Sequence, residues 1–374
     1  MLDFFSAPLF FHSSTLPPFR SSTVLRYVLK RIALMVPTFL GITVLCFLLT
    51  ALVPGGPVEQ QLSRMRGLGG GAAGAVAAGS AAHGAGHAAL TEEMRKNLEK
   101  SFGFDKPLPV RYWNWLVRDR CGLRAKSIQY TDRTAWDLIA SRIPVSLWFG
   151  IPGFFLADLV CIPLGIAKAV RRGSAFDLAS SALVFAGYAI PAFALGMLLK
   201  MLFCGTVEGL WDVLPLGGAQ SEGAEALPFW PALADRARHM LLPVLCYVAG
   251  SFAMLTLLTK NSLLEQMGSD YVRTVLAKGA TRRRAVWGHA LRNALVPLAT
   301  GFGGVLTVIF AGSVIIESVF DVPGMGRLSL DALSQRDYPV FLGILSVTSV
   351  LGLLGQILSD LCYVLIDPRI RFDR

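Results

Sequence analysis

The sequence predicts an all-α, polytopic membrane protein with six transmembrane helices, and three observations support this fold class. Only 16% of the 374 residues are charged, whereas a soluble globular protein carries about 25%. The mean hydropathy is +0.54. Six separate stretches are also apolar over about 20 residues, the length of helix that crosses a bilayer core of about 30 Å.

The predicted spans follow one another along the chain with few charged residues inside them. The first transmembrane helix is predicted within residues 24–53, where 32–53 carries no charge at all. The other five spans are predicted at residues 145–167, 178–203, 240–258, 295–316 and 340–366.

Basic residues assign the sides of this six-span arrangement. They precede the first span, lie between the second and third and between the fourth and fifth, and follow the sixth. Lys and Arg are enriched in cytoplasmic loops. We therefore expect this side, with both termini, to be cytoplasmic.

The remaining segments divide the chain further. Residues 1–23 contain two adjacent prolines and no helical period, which predicts a disordered tail or an over-long start. Residues 54–143 are expected to form a periplasmic loop that combines a flexible Gly/Ala-rich segment with a small helical cap. Residues 144–374 hold five helices and a basic cytoplasmic loop at 259–294.

Sequence signatures of catalysis and of cofactor binding are absent. The six cysteines are scattered singly with no CxxC pair, which argues against a metal site. No GxxxxGK[ST] phosphate loop, HExxH pattern or Ser/His/Asp arrangement occurs. We predict no catalytic residue, no metal and no cofactor in this chain, and its net charge of +10 reflects cytoplasmic loops rather than nucleic-acid binding.

The basic segment at residues 266–303 predicts two short helices. Ser269 or Asp270 can cap the first helix, which Lys278 and Gly279 end with a cation and a C′ glycine. Thr281 can cap the second helix. Such an element can seat in a groove of a partner protein. The simpler interpretation is an ordinary basic loop held by anionic membrane lipid.

The order of residues in this segment resembles the coupling loop of ABC importer permeases. The residues that match are Asp270, Tyr271, Val272, Thr274, Ala277, Lys278 and Gly279, followed by His289, Arg292 and Asn293. Residues 24–374 carry further similar motifs, including PGGP at 54–57, GYAIPAF at 187–193, ESVFDVPGMGRL at 317–328 and DPRI at 367–370. Together they resemble the dipeptide and oligopeptide branch, and within it the Yej-type permeases for microcin C and oligopeptides.

This resemblance implies the type I importer architecture and a function. The chain is expected to be a permease subunit that moves oligopeptides or peptide-like compounds across the bacterial inner membrane. Its implied partners are a second homologous permease, two cytoplasmic ATPase subunits or domains, and a periplasmic peptide-binding protein. The ATPases would bind ATP and Mg²⁺. The ten matching residues above would contact the ATPases.

Five further residues are candidates for the transport pathway or a gate. Asp158 lies within the second span, where an acid is costly, so it is expected to face the bundle interior or water, or to have only a packing role. Pro191 is expected to kink the third span, either for gating or because membrane helices tolerate proline. Glu317, Arg336 and Asp337 are placed in the outer loop before the sixth span, as contacts for the binding protein or as solvated charges.

Two other functions remain possible at this level. An ion-gradient-driven secondary transporter could use Asp158 as its proton site, although no inverted repeat is evident. A membrane scaffold could use the basic loop only to bind lipid, and it would then tolerate scrambling of that loop.

Overall fold

The computed structural model describes residues 21–52, 96, 105–130, 132–207, 211–299, 301, 305–306 and 312–366. The predicted N-terminal tail up to residue 20, the Gly/Ala-rich segment and the PGGP and DPRI motifs lie outside these residues. The described residues form helices, turns and two isolated β-bridges, Lys126 with Thr134 and Cys204 with Asp212.

The helices are numbered in chain order over the described residues. They are α1 (Ser21–Leu52), α2 (Leu108–Trp113), α3 (Ala135–Val170), α4 (Ala175–Ala189), α5 (Ala192–Phe203), α6 (Phe229–Gly268), α7 (Asp270–Ala277), α8 (Arg282–Ala285), α9 (Leu291–Ala294), α10 (Val314–Val319), α11 (Met325–Ser334) and α12 (Tyr338–Ile366). A π-helical turn (Val286–Ala290) joins α8 to α9, and another (Asn114–Arg118) follows α2.

Four of these helices, α1, α3, α6 and α12, are long and apolar enough to cross a membrane. α3, α6 and α12 contain the predicted second, fourth and sixth spans, and α1 covers the described part of the first. The extension of α3 begins at a capping box in which Thr134 accepts from the N–H of Asp137 at 3.2 Å and Asp137 accepts from the N–H of Thr134 at 3.0 Å. The apolar stretch therefore marked the membrane core and not the ends of the helix.

The third predicted span is broken rather than kinked. α4 and α5 meet at an angle of 93°, a bend that marks either one broken span or a re-entrant loop. Ile190 has extended backbone, and Pro191 is the N-cap residue of α5 (φ −57°, ψ 139°). Proline disfavours helical backbone in the residue before it and supplies no N–H, so the helix ends at Ala189.

The fifth predicted span is described only in part. Its upper boundary at residue 316 is wrong, because Gly312 has a φ of +69° and α10 begins two residues later. Left-handed backbone interrupts a right-handed helix, so residues 314–316 belong to the separate helix α10.

α3 and α6 form the most extensive helix pair among the described elements. Glycine permits this approach: a Cβ added at Gly165 would lie 2.6 Å from the Cβ of Thr259 and 2.7 Å from the carbonyl oxygen of Thr256. α1 packs along α12, where Tyr27 donates to Asp360 at 2.6 Å and Arg31 pairs with the same carboxylate at 2.8 Å.

The two ends of the α3–α6 pair carry different clusters. At one end the last turns of both helices meet residues 269–294, and we call this the basic end. At the other end, Leu138 and Ile139 of α3 pack against Met325 and Leu328 of α11. The outer faces of the helices are largely apolar and exposed, as expected for surfaces that face lipid or another membrane chain.

Candidate coupling surface and outer loop

The predicted short helix at the basic end is α7, and its start differs from the expectation. Ser269 occupies the cap position with extended backbone, but its hydroxyl donates to the carbonyl of Gln266 and makes no capping bond. Asp270 lies in the first turn, where a negative charge interacts favourably with the helix dipole. The boundary is therefore set by the backbone turn at Ser269 and not by a side-chain cap.

The end of α7 agrees with the prediction. Lys278 follows the last helical residue, and Gly279 has a φ of +84°. The N–H of Gly279 donates to the carbonyl of Leu276 at 2.9 Å. A Cβ at Gly279 would meet no atom of the described residues within 4 Å. Glycine is thus required here for the sign of φ and not for space.

The second arm of the loop begins as predicted and then departs from a regular helix. The hydroxyl of Thr281 accepts from the N–H of Arg284 at 3.3 Å and caps α8. The π turn Val286–Ala290 then separates α8 from α9, a feature that the sequence analysis missed. π turns are rare and occur often at functional sites, but no residue type in this turn signals one.

The structure divides the ten predicted coupling residues into an anchor and an exposed face. Val272 is only 2% exposed and packs in the basic-end cluster with Ile166, Ala169, Leu263 and Val286. The exposed positions are Asp270, Tyr271, Thr274, Ala277, Lys278, Gly279, His289 and Arg292, and Asn293 is half-buried. Val272, together with the half-buried Val275, therefore fixes α7 to the ends of α3 and α6, while the other side chains of the helix are exposed.

Asp158 is half-buried within α3, and the structure leaves both of its interpretations open. Its Oδ2 atom is buried and has no hydrogen-bond partner among the residues that the structure describes. Cys161 and Tyr247 are titratable groups near enough to interact with it electrostatically. Because Tyr247 belongs to α6, the carboxyl group of Asp158 lies at the contact between α3 and α6.

Glu317 is fully buried, so its expected position as a surface charge of the outer loop is wrong. Its carboxylate accepts from the N–H of Arg327 at 2.7 Å, from the N–H of Ser313 at 3.2 Å and from the hydroxyl of Ser146 at 3.4 Å. Burial raises the pKa of Glu317 to about 7, and the hydrogen bonds oppose this rise only in part. The carboxylate therefore joins the two ends of the 312–327 segment to α3.

Asp337 is also buried, at 3% exposure, and the expected surface position is wrong for it too. It accepts from the hydroxyl of Ser127, from the N–H of Ile128 at 3.1 Å and from the N–H of Gln129 at 3.3 Å. Arg336, the residue before it, is half-buried with a φ of +55°. Asp337 thus fixes the loop before α3 to the start of α12, which leaves no face of its carboxylate for a separate protein.

Comparison of the sequence with known proteins identifies a family for this chain. The family described as "Binding-protein-dependent transport system inner membrane component" matches residues 161–372, which include the whole coupling segment. The chain belongs to this family. It is accordingly an inner-membrane permease component of an ABC transporter, multi-pass and not itself an enzyme, which confirms the predicted resemblance.

Individual relatives match nearly the whole length. The peptidoglycan transport system permease protein YejB of Agrobacterium fabrum is 38% identical over 365 residues, covering 93% of this chain and 98% of that protein. The inner membrane ABC transporter permease protein YejB of Escherichia coli O157:H7 is 37% identical over 362 residues, covering 93% and 99%. The dipeptide transport system permease protein DppB of Escherichia coli K12 is 32% identical over 367 residues, covering 93% and 99%.

Family membership removes the support for an ion-driven carrier. The match includes α7 and its flanking turns but does not assign roles to single residues. The roles of the ten coupling residues, and of Asp158, Pro191 and Arg336, remain predictions.

Proposed function

We propose that this chain is a permease subunit of an importer that carries oligopeptides or peptide-like compounds, and that α7 is where its ATPase docks. The observation that carries the proposal is the division of α7 into a buried side, where Val272 is the anchor and Val275 packs beside it, and an exposed face that carries Asp270, Tyr271 and Thr274. The substrate class is supported by the relatives, which are named for transport of peptidoglycan and of dipeptides.

The packing at the basic end supports a mechanism of force transfer. Val272 belongs to an apolar cluster that also contains residues of α3, of α6 and of the π turn. Because packed interiors are dense and transmit strain, a displacement of α7 is expected to move the ends of α3 and α6 with it. Alternating access then requires that the ATPase bind the two arrangements with different affinity.

The partners follow from this assignment. Two ATPase subunits or domains would dock at the basic end, which is then cytoplasmic together with both termini, and they would bind ATP and Mg²⁺. A second, homologous permease would complete the pore, a periplasmic binding protein would deliver the peptide, and anionic lipid would contact the basic residues. The many exposed apolar side chains of α4 and α5, such as Leu183 at 71% and Met197 at 62%, are compatible with a second membrane chain.

The proposal is tested by uptake into proteoliposomes that contain the complete complex. We expect accumulation of labelled dipeptides, oligopeptides or peptidoglycan fragments that needs ATP and the binding protein. Uptake that follows a proton gradient in the absence of ATP would refute it.

A charge reversal tests the docking surface separately. Asp270 is highly exposed, with its side chain at 97%, so Asp270→Arg is expected to leave insertion intact and to reduce recovery of the ATPases in a detergent pull-down. Asp132→Arg makes the same change at an exposed position before α3 and is the matched control. Equal ATPase recovery from both variants would contradict the assignment of α7.

A further inference from the structure

A buried ion cluster joins three helices at the basic end. Lys260 of α6 donates to Oδ1 of Asp177, on α4, at 2.7 Å. Lys168 of α3 lies 3.5 Å from the same oxygen and donates to the carbonyl of Asp177 at 3.2 Å. In the sequence both lysines lie among the basic residues that assign the sides of the membrane, and nothing there indicates that they meet.

Lys168 is held entirely by α4. Its side chain is 0% exposed, and its ammonium group also donates to the hydroxyls of Ser180 at 2.9 Å and Ser181 at 2.7 Å. An ammonium group taken out of water is costly unless it is fully paired. The first turns of α4 therefore cannot separate from α3 without leaving this charge unpaired.

The cluster adjoins the anchor of α7. Ile166 and Ala169, which flank Lys168 on α3, belong to the apolar cluster that contains Val272, and so does Leu263, one turn beyond Lys260 on α6. The same two helix ends thus hold α7 by apolar contacts and α4 by the ion cluster. α4 is in turn the first arm of the helix pair that is broken at Pro191.

We propose that Lys168, Asp177 and Lys260 are positioning residues that make α4 follow the ends of α3 and α6 when α7 is displaced. The inference rests on the proposed function, because it assumes that the ATPase moves α7. Because the cluster ties α4 to α3 and α6, a movement of these two helix ends also moves α4 and so reaches the helix pair broken at Pro191. Without the cluster, α3 and α6 would slide past α4. Lys168→Gln, Asp177→Asn and Lys260→Gln are therefore expected to uncouple ATP hydrolysis from transport.

The measurement is the number of substrate molecules imported per ATP hydrolysed, in proteoliposomes that contain the complete transporter. Substitutions along a coupled network can change a coupling free energy by an amount that corresponds to about 2- to 30-fold, and we expect a fall of that size in this ratio for each variant. Lys260→Arg keeps the charge and is expected to keep the ratio. Arg172→Gln removes an exposed cation from the turn between α3 and α4, outside the cluster, and is the matched control.

The ratio separates positioning from stability alone. A merely structural role would lower the amount of assembled complex and both rates together, and an unchanged ratio in the variants would overturn the inference. If Lys168→Gln and Asp177→Asn fail to assemble, Lys260→Gln decides, since Lys260 is at the edge of the cluster with its side chain 16% exposed. A wild-type complex without ATP-driven uptake would overturn the proposed function, and this inference with it.

Discussion

Replacement of Gly279 tests whether ATPase docking depends on the backbone conformation of the turn that ends α7. The residue has a φ of +84°, and an added Cβ would meet nothing within 4 Å among the described residues. Gly279→Ala therefore introduces conformational strain but no collision. Left-handed backbone costs about 1–2 kcal/mol for a residue with a Cβ, which corresponds to a loss of roughly 5- to 30-fold in affinity if docking requires this turn.

Gly279→Pro is the more severe form of the same perturbation. Proline fixes φ near −65°, so it cannot adopt the turn, and it also removes the N–H that donates to Leu276 at 2.9 Å. We expect Gly279→Ala to weaken binding of the purified ATPases to the detergent-solubilised permease within the range above. Gly279→Pro is expected to abolish binding and uptake while expression and insertion continue.

Gly223 provides the matched control for this experiment. It has a φ of +79° with open space around it, and it lies in the loop before α6 and not at the basic end. Gly223→Ala is expected to cost the same conformational energy and to leave ATPase affinity unchanged. Normal uptake by Gly279→Pro, or equal loss of affinity in the two alanine variants, would show that ATPase docking does not depend on the turn at Gly279.

Three further predictions concern stability, each measured by thermal unfolding of the purified protein. Burial raises the pKa of Glu317 from 4.5 to about 7, so the folded protein binds the proton more tightly than the unfolded chain does. The contribution of this proton to the free energy of unfolding is complete below about pH 4.5 and is lost as the pH rises through 7. That loss is roughly 3 kcal/mol, and Glu317→Gln is expected to flatten the pH profile; an unchanged slope would contradict the assignment. Gly165→Ala is expected to destabilise the protein by about 1–3 kcal/mol through overpacking against Thr259. Gly187 in α4 is the control, because an added Cβ would meet no described atom within 4 Å, and Gly187→Ala should be neutral or stabilising. The reverse order of stabilities would contradict the close α3–α6 contact. Asp337→Asn is expected to cost about 1–3 kcal/mol because it weakens two buried hydrogen bonds and a third that is partly buried. The exposed Asp331→Asn should cost almost nothing, and equal effects would show that Asp337 does not fix the loop to α12.

Local features of the sequence predicted those parts of the fold that depend on neighbouring residues. Long, largely apolar stretches identified the cores of α1, α3, α6 and α12, because a helix in lipid must be largely apolar along its length. The end of α7 at Gly279 was predicted for a similar reason, since a C′ glycine is a local requirement of the backbone.

Features that depend on distant contacts could not be predicted in the same way. Glu317 and Asp337 looked like solvated charges because they lie in a polar segment, but their hydrogen-bond donors come from residues such as Ser146 and Ile128, which are 171 and 209 positions away. Likewise, Lys260 and Asp177 are 83 positions apart, and only the packing of α6 against α4 brings them together. The break at Pro191 was underestimated, because neighbouring helices decide whether proline kinks or ends a membrane helix.

Site-specific photo-crosslinking in the intact, active complex can determine whether the exposed face of α7 contacts the ATPase. A photo-reactive side chain is placed at Ala277, on the exposed face, and at Ala234, an exposed position of α6 at the opposite end. We predict a crosslink to the ATPase from position 277 and none from position 234. An active complex in which position 277 gives no ATPase adduct would contradict the account.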